Sequence, residues 1–383
     1  MNPRDLSDHV AYEAGRGIEE VARELGRDPS TLVKLASNEN ALGPAPAAVE
    51  AIEDAAPTIS SYPKSAHADL TSALGDRWGV TDGQIWLANG ADGAIDYLAR
   101  ATLRPGDRIL VPAPGFAYYE MSARFHHGTV SSYSLEREED FEQTVETVLD
   151  AYDGERVVYL TSPHNPSGST IDLEAVETIA DGTDEETLVV VDEAYGEFAE
   201  VDSAVTLIEG TNGFEPRDDV AVLRTFSKAY GLAGLRLGYA IVPEEWAEAY
   251  ARVNTPFAAS ELACRAGLAA LDDDGHVERT IEMVTDARAR MSGAIDAHVW
   301  PSAGNFVLVD VGDASAVAEA MQDRGVIVRD CTSFGLPECV RITCGTDEET
   351  ARAIETLNEI LAERRDESEE ANADASPPGV RDS

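Results

Sequence analysis

Residues Thr187–Asp192 read TLVVVD: four aliphatic side chains in succession, three of them β-branched, closed by a carboxylate. β-Branched residues favour extended backbone. The absence of alternation means that both faces of the strand are buried, the pattern of a parallel sheet covered by helices on each side. The same signature recurs in both directions along the chain. QIWLANG (Gln84–Gly90), DRILVPA (Asp107–Ala113) and RVVYL (Arg156–Leu160) precede it; VAVLRTF (Val220–Phe226) and LGYAIV (Leu237–Val242) follow. Helical patterns such as ADGAIDYLARATL (Ala91–Leu103) lie between. The alternation predicts an α/β domain with a largely parallel sheet.

Beyond Pro256 the pattern changes. Long helical stretches (Ser260–Leu271 and His276–Ile295) precede NFVLVDV (Asn305–Val311), VIVRD (Val326–Asp330) and CVRITCG (Cys339–Gly345), with helices between and after them. That is a smaller α+β unit. The boundaries expected are an N-terminal arm and helix, 1–40, that belongs with the smaller unit; a large domain, 41–255; and a small domain, 256–365. An acidic tail, 366–383, is expected to be disordered. Within the arm, GIEEVAREL places Ile18, Val21, Ala22 and Leu25 on one helical face.

The 383 residues carry a formal net charge of −43, from 72 acidic and 29 basic side chains. Such a surface repels nucleic acid and anionic membrane, which excludes both as partners. With 43% hydrophobic residues in regular runs the chain is expected to fold. The charge then implies adaptation to concentrated salt, where screening makes it tolerable. No apolar run reaches the ~18 residues of a membrane span, and the N-terminal residues lack the apolar stretch expected of a signal sequence. The four cysteines, Cys264, Cys331, Cys339 and Cys344, show no metal-ligand spacing and are expected to be reduced core residues of a cytoplasmic protein.

Ligands of open α/β sheets bind beyond the carboxyl ends of the strands. ANGADG (Ala88–Gly93) follows one run and opens a helix, whose free N–H groups suit an anion. An ordinary turn would look the same. Phe116 follows another run, in PAPGFAYY, where an aromatic ring serves a core equally well. TSPHNPSG, with Asn165 between prolines, follows a third, and Asp192 ends the fourth. A carboxylate there needs a cation or donors, or caps a helix. The fifth run leads into TFSK, Thr225–Lys228. Lys228 is one of only three lysines, with Lys34 and Lys64, in a chain that otherwise uses arginine. Arginine can replace a solvated lysine; it cannot form a Schiff base with a carbonyl, which an amine of depressed pKa can do. Arg236, eight residues later, can join the ANGADG amides and the hydroxyls of Thr225 and Ser227 around a phosphate. An aromatic platform (Phe116), a carboxylate (Asp192), a phenol (Tyr195), an amide (Asn165), a phosphate cradle and an amine describe a pocket for pyridoxal phosphate.

KLASNENALGP (Lys34–Pro44), SPHNPSG (Ser162–Gly168), VVVDEAYGEF (Val189–Phe198), RTFSKAYGLAGLRLGY (Arg224–Tyr239), PSAGNFVLV (Pro301–Val309) and VRITCGT (Val340–Thr346) together resemble the aspartate-aminotransferase-like, pyridoxal-phosphate-dependent enzymes. Within them the chain looks like the histidinol-phosphate aminotransferases, from about Tyr12 to about Leu361. The resemblance implies a large domain with a mostly parallel seven-stranded sheet and pyridoxal 5'-phosphate as cofactor. It implies Lys228 as the lysine that carries the cofactor, Asp192 on its pyridine nitrogen, Tyr195 and Asn165 on its ring hydroxyl, and Phe116 against its ring. Ala91, Asp92, Thr225, Ser227 and Arg236 would hold the phosphate. Tyr62 would reach the cofactor phosphate of a neighbouring subunit, so a homodimer is implied. Tyr12, Asn40, Arg329 and Arg341 would bind the substrates, histidinol phosphate and glutamate or 2-oxoglutarate. No metal is implied. Ala41, Gly115, His164 and the segment TPFAAS (Thr255–Ser260) depart from the family pattern. An aromatic or broad-range aminotransferase is the nearest rival, and a decarboxylase of the same fold a more distant one. A transcription regulator would need a basic DNA-binding domain that the acidic chain does not offer.

Overall fold

The computed structural model describes residues 6, 7, 9, 17–64 and 67–374, with side chains as far as residue 367. Its strands in chain order are β1 (Val33–Leu35), β2 (Ile85–Asn89), β3 (Arg108–Ala113), β4 (Thr129–Ser134), β5 (Val157–Thr161) and β6 (Leu188–Asp192). There follow β7 (Val220–Thr225), β8 (Leu237–Ile241), β9 (Phe306–Asp310), β10 (Val326–Asp330) and β11 (Cys339–Thr343). Among the described residues they form two sheets. Seven strands lie in the order β2-β8-β7-β6-β5-β3-β4 and four in the order β1-β10-β11-β9. In the larger sheet β3, β4, β5, β6 and β7 pair in parallel and only β8 is reversed against its neighbours.

The run that opens the sequence analysis is buried on both faces. Val189 and Val191 of β6 join one hydrophobic cluster, while Leu188 and Val190 join the other, on the opposite side of the sheet. Burying such a side chain fully contributes roughly 1.5–3 kcal/mol. Hydropathy does not announce β4. Its residues TVSSYS are polar, and only Tyr133 among them is buried, because β4 is an edge strand with one side to solvent.

The N-terminal β1 pairs in parallel with β10, so the arm before the large domain completes the small sheet. Helix Glu261–Leu271, capped by Ser260 through the amide of Ala263, packs against helices Pro46–Ala55 and Ala68–Trp78. The change of pattern after Pro256 assigned that helix to the smaller unit; its contacts place it on the larger one. The last helix runs from Asp347 to Asp374, beyond the point at residue 366 where a disordered tail is expected. No glycine or proline interrupts the chain between Gly345 and Pro377, so nothing in its covalent structure stops the helix at Arg365. The rest of the acidic tail lies outside the described residues. No helix among them is long and apolar enough to cross a membrane.

Candidate active site

The parallel strands deliver their carboxyl ends to one cavity of about 450 Å3 between the two sheets. β6 ends in Asp192, which stands level with Thr161 at the end of β5. The loop after β5 brings Asn165 to the wall, and the turn after β7 brings Thr225, Ser227 and Lys228. From the facing small sheet come Arg329 of β10 and Arg341 of β11.

Asp192 is buried on the floor. The Tyr119 hydroxyl donates to its Oδ2 at 2.6 Å, and the Ala194 amide donates to its Oδ1 at 3.0 Å. Burial raises its pKa to about 6, against the pull of those two donors. Lys228 is half-buried. Its Nζ lies 3.3 Å from the Ser37 carbonyl and 5.5 Å from the centre of the Tyr195 ring. Burial first, then the neighbouring Arg341 guanidinium, push its pKa down to about 8. Tyr195 accepts a hydrogen bond from Asn38 Nδ2 at 3.0 Å. Burial raises its phenol above the ordinary value, while Arg341 and the Asn38 bond act the other way.

At one end of the cavity the helix Gly90–Thr102 presents its N-terminus, with Ala91 and Asp92 at the wall. Arg236 lies against this turn. Its Nη2 donates to Asp92 Oδ2 at 2.9 Å, and its Nη1 donates to the Ala233 carbonyl at 3.2 Å. Gly90 has φ +75°, and a Cβ there would collide with the Arg236 guanidinium. The close approach of arginine and helix end therefore requires glycine. Thr225 Oγ1 donates to Ser227 Oγ at 3.0 Å beside them. Amides, hydroxyls and a guanidinium converge as an anion site.

Across the cavity, Arg341 Nη2 donates to the Ala36 carbonyl at 3.0 Å and Nη1 to Asn165 Oδ1. Arg329 Nη2 donates to Ser333 Oγ at 2.8 Å. His164 is one of the positions that depart from the resemblance. It is buried, and its ring nitrogens meet Ser167 Oγ at 2.7 Å and the Pro114 carbonyl at 2.9 Å. A carbonyl only accepts, so Nε2 carries the proton, and burial holds the imidazole pKa down to about 4. The neutral ring thus ties the Asn165 loop to the turn that carries Phe116.

Of the expected residues, the cavity gathers Lys228, Asp192, Tyr195, Asn165, Phe116, Ala91, Asp92, Thr225, Ser227, Arg236, Arg329 and Arg341. Asn40 is not at the cavity wall. Its Nδ2 donates to the Ala229 carbonyl and to Thr280 Oγ1, and its Oδ1 accepts from the Leu42 amide, so the side chain is consumed in shaping its loop. Asn38, at φ +53°, is at the wall instead, its Nδ2 on the Tyr195 hydroxyl and its Oδ1 accepting from Thr343 Oγ1. Tyr62 lies outside its own chain's cavity, 84% exposed and stacked on Phe257 with ring centres 4.9 Å apart. Tyr12 lies outside the described residues. Sequence reasoning missed Tyr119, although its position in the first turn of helix Tyr118–Phe125, three residues after Phe116, was a signal. No group of His, Cys, Asp and Glu among the described residues is placed to hold a metal ion.

The family model for aminotransferase class I and II matches residues 30–357. The histidinol-phosphate aminotransferase of Haloarcula marismortui is 65% identical over 363 residues, 95% of this chain and 99% of the relative. That of Natronomonas pharaonis is 66% identical over 361 residues, 94% of this chain and all of the relative. Among solved structures, the histidinol-phosphate aminotransferase of Sinorhizobium meliloti in complex with pyridoxal-5'-phosphate superposes with a TM-score of 0.80 at 29% identity, covering 91% of this chain and 96% of that one.

Proposed function

The chain belongs to the class I and II aminotransferases, and from that premise we propose that it transfers an amino group between L-histidinol phosphate and 2-oxoglutarate. The products are imidazole-acetol phosphate and L-glutamate, and the reverse direction is a step of histidine biosynthesis. The observation that carries the substrate is the pair Arg329 and Arg341, directly opposite in the β10–β11 register and both at the cavity wall. One substrate brings a phosphate and the other carboxylates, and guanidinium forks bind either.

The cofactor is pyridoxal 5'-phosphate, and the residues present fit it. The anion site at Gly90–Asp92 and Arg236 suits its phosphate, Asn165 and Tyr195 its ring hydroxyl, and Phe116 its ring face. When bound, the cofactor supplies a carbonyl for the amino group and an electron-withdrawing ring. The Asp192 carboxylate fixes a negative charge on the cavity floor, where it holds a proton on the pyridine nitrogen. Lys228 would hold the cofactor, and its Nζ, unprotonated above its lowered pKa, would be the group that moves the proton at the substrate carbon bearing the nitrogen. Arg341 and Arg329 fix the anionic end of the substrate, which orients that carbon towards Lys228.

A homodimer, with Tyr62 at the partner's cofactor phosphate, is supported by the exposure of the stacked pair Tyr62 and Phe257 and of Ile59 and Val49. The four free, buried cysteines suit a cytoplasmic setting. Single-turnover spectroscopy of the loaded enzyme with a panel of amino donors tests the function. Histidinol phosphate and glutamate should both discharge the bound chromophore. Equal reaction with phenylalanine or tyrosine would make the enzyme a broad aromatic aminotransferase instead.

A further inference from the structure

We propose that Ser333 and Phe334 set the preference for a phosphate-bearing substrate by holding Arg329 beside Arg341; this rests on the two-substrate reading above. The β10–β11 register puts the two arginines directly opposite one another. Like charges in that position repel and would splay apart. Arg341 is buried and held from elsewhere, by the Ala36 carbonyl and Asn165 and over the Phe306 ring at 5.3 Å. Arg329 lacks such anchors. In a chain of net charge −43 it makes no ion pair among the described residues. Its neighbour Asp330 feels its charge but is bonded elsewhere, accepting from Ser315 Oγ at 2.6 Å and the Thr332 amide at 2.8 Å.

What holds Arg329 is the turn Thr332–Phe334 between the two strands. Ser333 Oγ takes one arm of its fork. The Phe334 ring lies 5.6 Å from the Arg329 guanidinium carbon and 5.8 Å from that of Arg341. One aromatic ring therefore serves both cations, easing their repulsion while keeping both at the cavity wall. The turn is fixed by the Phe334 amide on the Cys331 carbonyl at 2.9 Å and by Gly335 at φ +81°. A tetrahedral dianion can engage two forks at once, whereas a carboxylate is satisfied by one. Loosening Arg329 should then penalise phosphate selectively. Plain core packing by Phe334 predicts no such bias.

The test compares loaded wild-type enzyme with Phe334→Leu, Phe334→Tyr and Ser333→Ala in each half-reaction. Phe334→Leu should raise the half-saturating concentration of histidinol phosphate about five- to tenfold, at a nearly unchanged maximal rate, from the lost cation–π contacts. Ser333→Ala, at an exposed position, should do the same to a lesser degree, Phe334→Tyr should restore the wild-type value, and glutamate should be little affected throughout. Inorganic phosphate, as a competitor of the glutamate half-reaction, should lose potency in parallel. Equal losses for both substrates, or an undiminished potency of inorganic phosphate in both Phe334→Leu and Ser333→Ala, overturns the inference. If Phe334→Leu does not fold, Ser333→Ala with inorganic phosphate decides alone. A wild-type enzyme that ignores histidinol phosphate overturns the proposed function, and the inorganic-phosphate arm still decides the role of the turn.

Discussion

An amine with its pKa near 8 is appreciably unprotonated at neutral pH, and a solvated lysine near ~10.4 is not. The neutral fraction of Lys228 grows as pH rises through about 8, so the rate at which cofactor-free enzyme takes up pyridoxal phosphate should climb through that pH and then level. A stopped-flow pH series reads this directly, and an inflection only at the ordinary lysine value would count against the environment described. Borohydride reduction and peptide mapping should place the cofactor on Lys228. Lys34 and Lys64 are already committed to Glu39 at 2.9 Å and Asp69 at 2.5 Å, and label on either would sink the assignment. Asp192 runs the opposite way. Its folded pKa is raised to about 6, so its charge is present above that pH and lost as pH falls through it. Cofactor affinity should fall with it. Tyr119→Phe removes a donor to the charged form, so the acid limb should move to higher pH. A hydrogen bond to a charged group contributes about 1.5–3 kcal/mol, or one to two pKa units, so affinity at pH 7 should drop roughly two- to fifteenfold. Equilibrium titration of the variant across pH checks both the size and the direction of the move.

The two arginine-bearing strands carry a separate expectation. Arg341→Ala should weaken both half-reactions, because each substrate places an anion there and because Asn165 loses its partner. Arg329→Ala should weaken histidinol phosphate more than glutamate, by roughly ten- to a hundredfold for a lost charge-assisted hydrogen bond. Single-turnover rates with each donor separate the two outcomes, and equal effects of Arg329→Ala would return that residue to a structural role. At this scale the sequence was legible where burial is two-sided. β3, β5, β6, β7 and β8 each carry an apolar run, and residues at or just beyond the ends of β3, β5, β6 and β7 fell into one cavity. It was opaque where the signal is not hydrophobic. β4 is polar because an edge strand buries one residue in six positions, and β1 is recognised as a strand only once β10 is beside it. Asn38 and Asn40 sit two residues apart in one loop, and no periodicity tells that the first ties to Tyr195 and Thr343 while the second ties to Ala229 and Thr280. Tyr119 acts through Asp192, 73 positions away in the chain, so its place after Phe116 hints at the site but only the fold gives its role.

As a whole the molecule raises two questions: how many chains make a site, and what its charge does. Mixing Lys228→Ala with Tyr62→Ala protomers answers the first. A mixed dimer would contain one site with both residues intact, so random pairing should restore about a quarter of wild-type activity. No gain over the separate variants would leave Tyr62 a surface residue. The second concerns the net −43. Basic side chains are few, and several already serve acidic neighbours; Arg217 bridges Asp181 and Asp219, and Arg224 lies buried between Glu193 and Glu197. The remaining carboxylates crowd the surface and repel one another. Screening reaches over ~10 Å at 0.1 M salt and shrinks to ~3 Å at 1 M, so surface repulsion persists in dilute buffer and fades in molar salt. Thermal melts should therefore rise steeply from dilute to molar potassium chloride. Choline chloride at equal ionic strength should give a similar rise if screening alone is responsible, and a smaller one if the cation also binds carboxylates. A melting temperature indifferent to both salts would show that the fold withstands its own charge and that salt adaptation is not what the acidic surface serves.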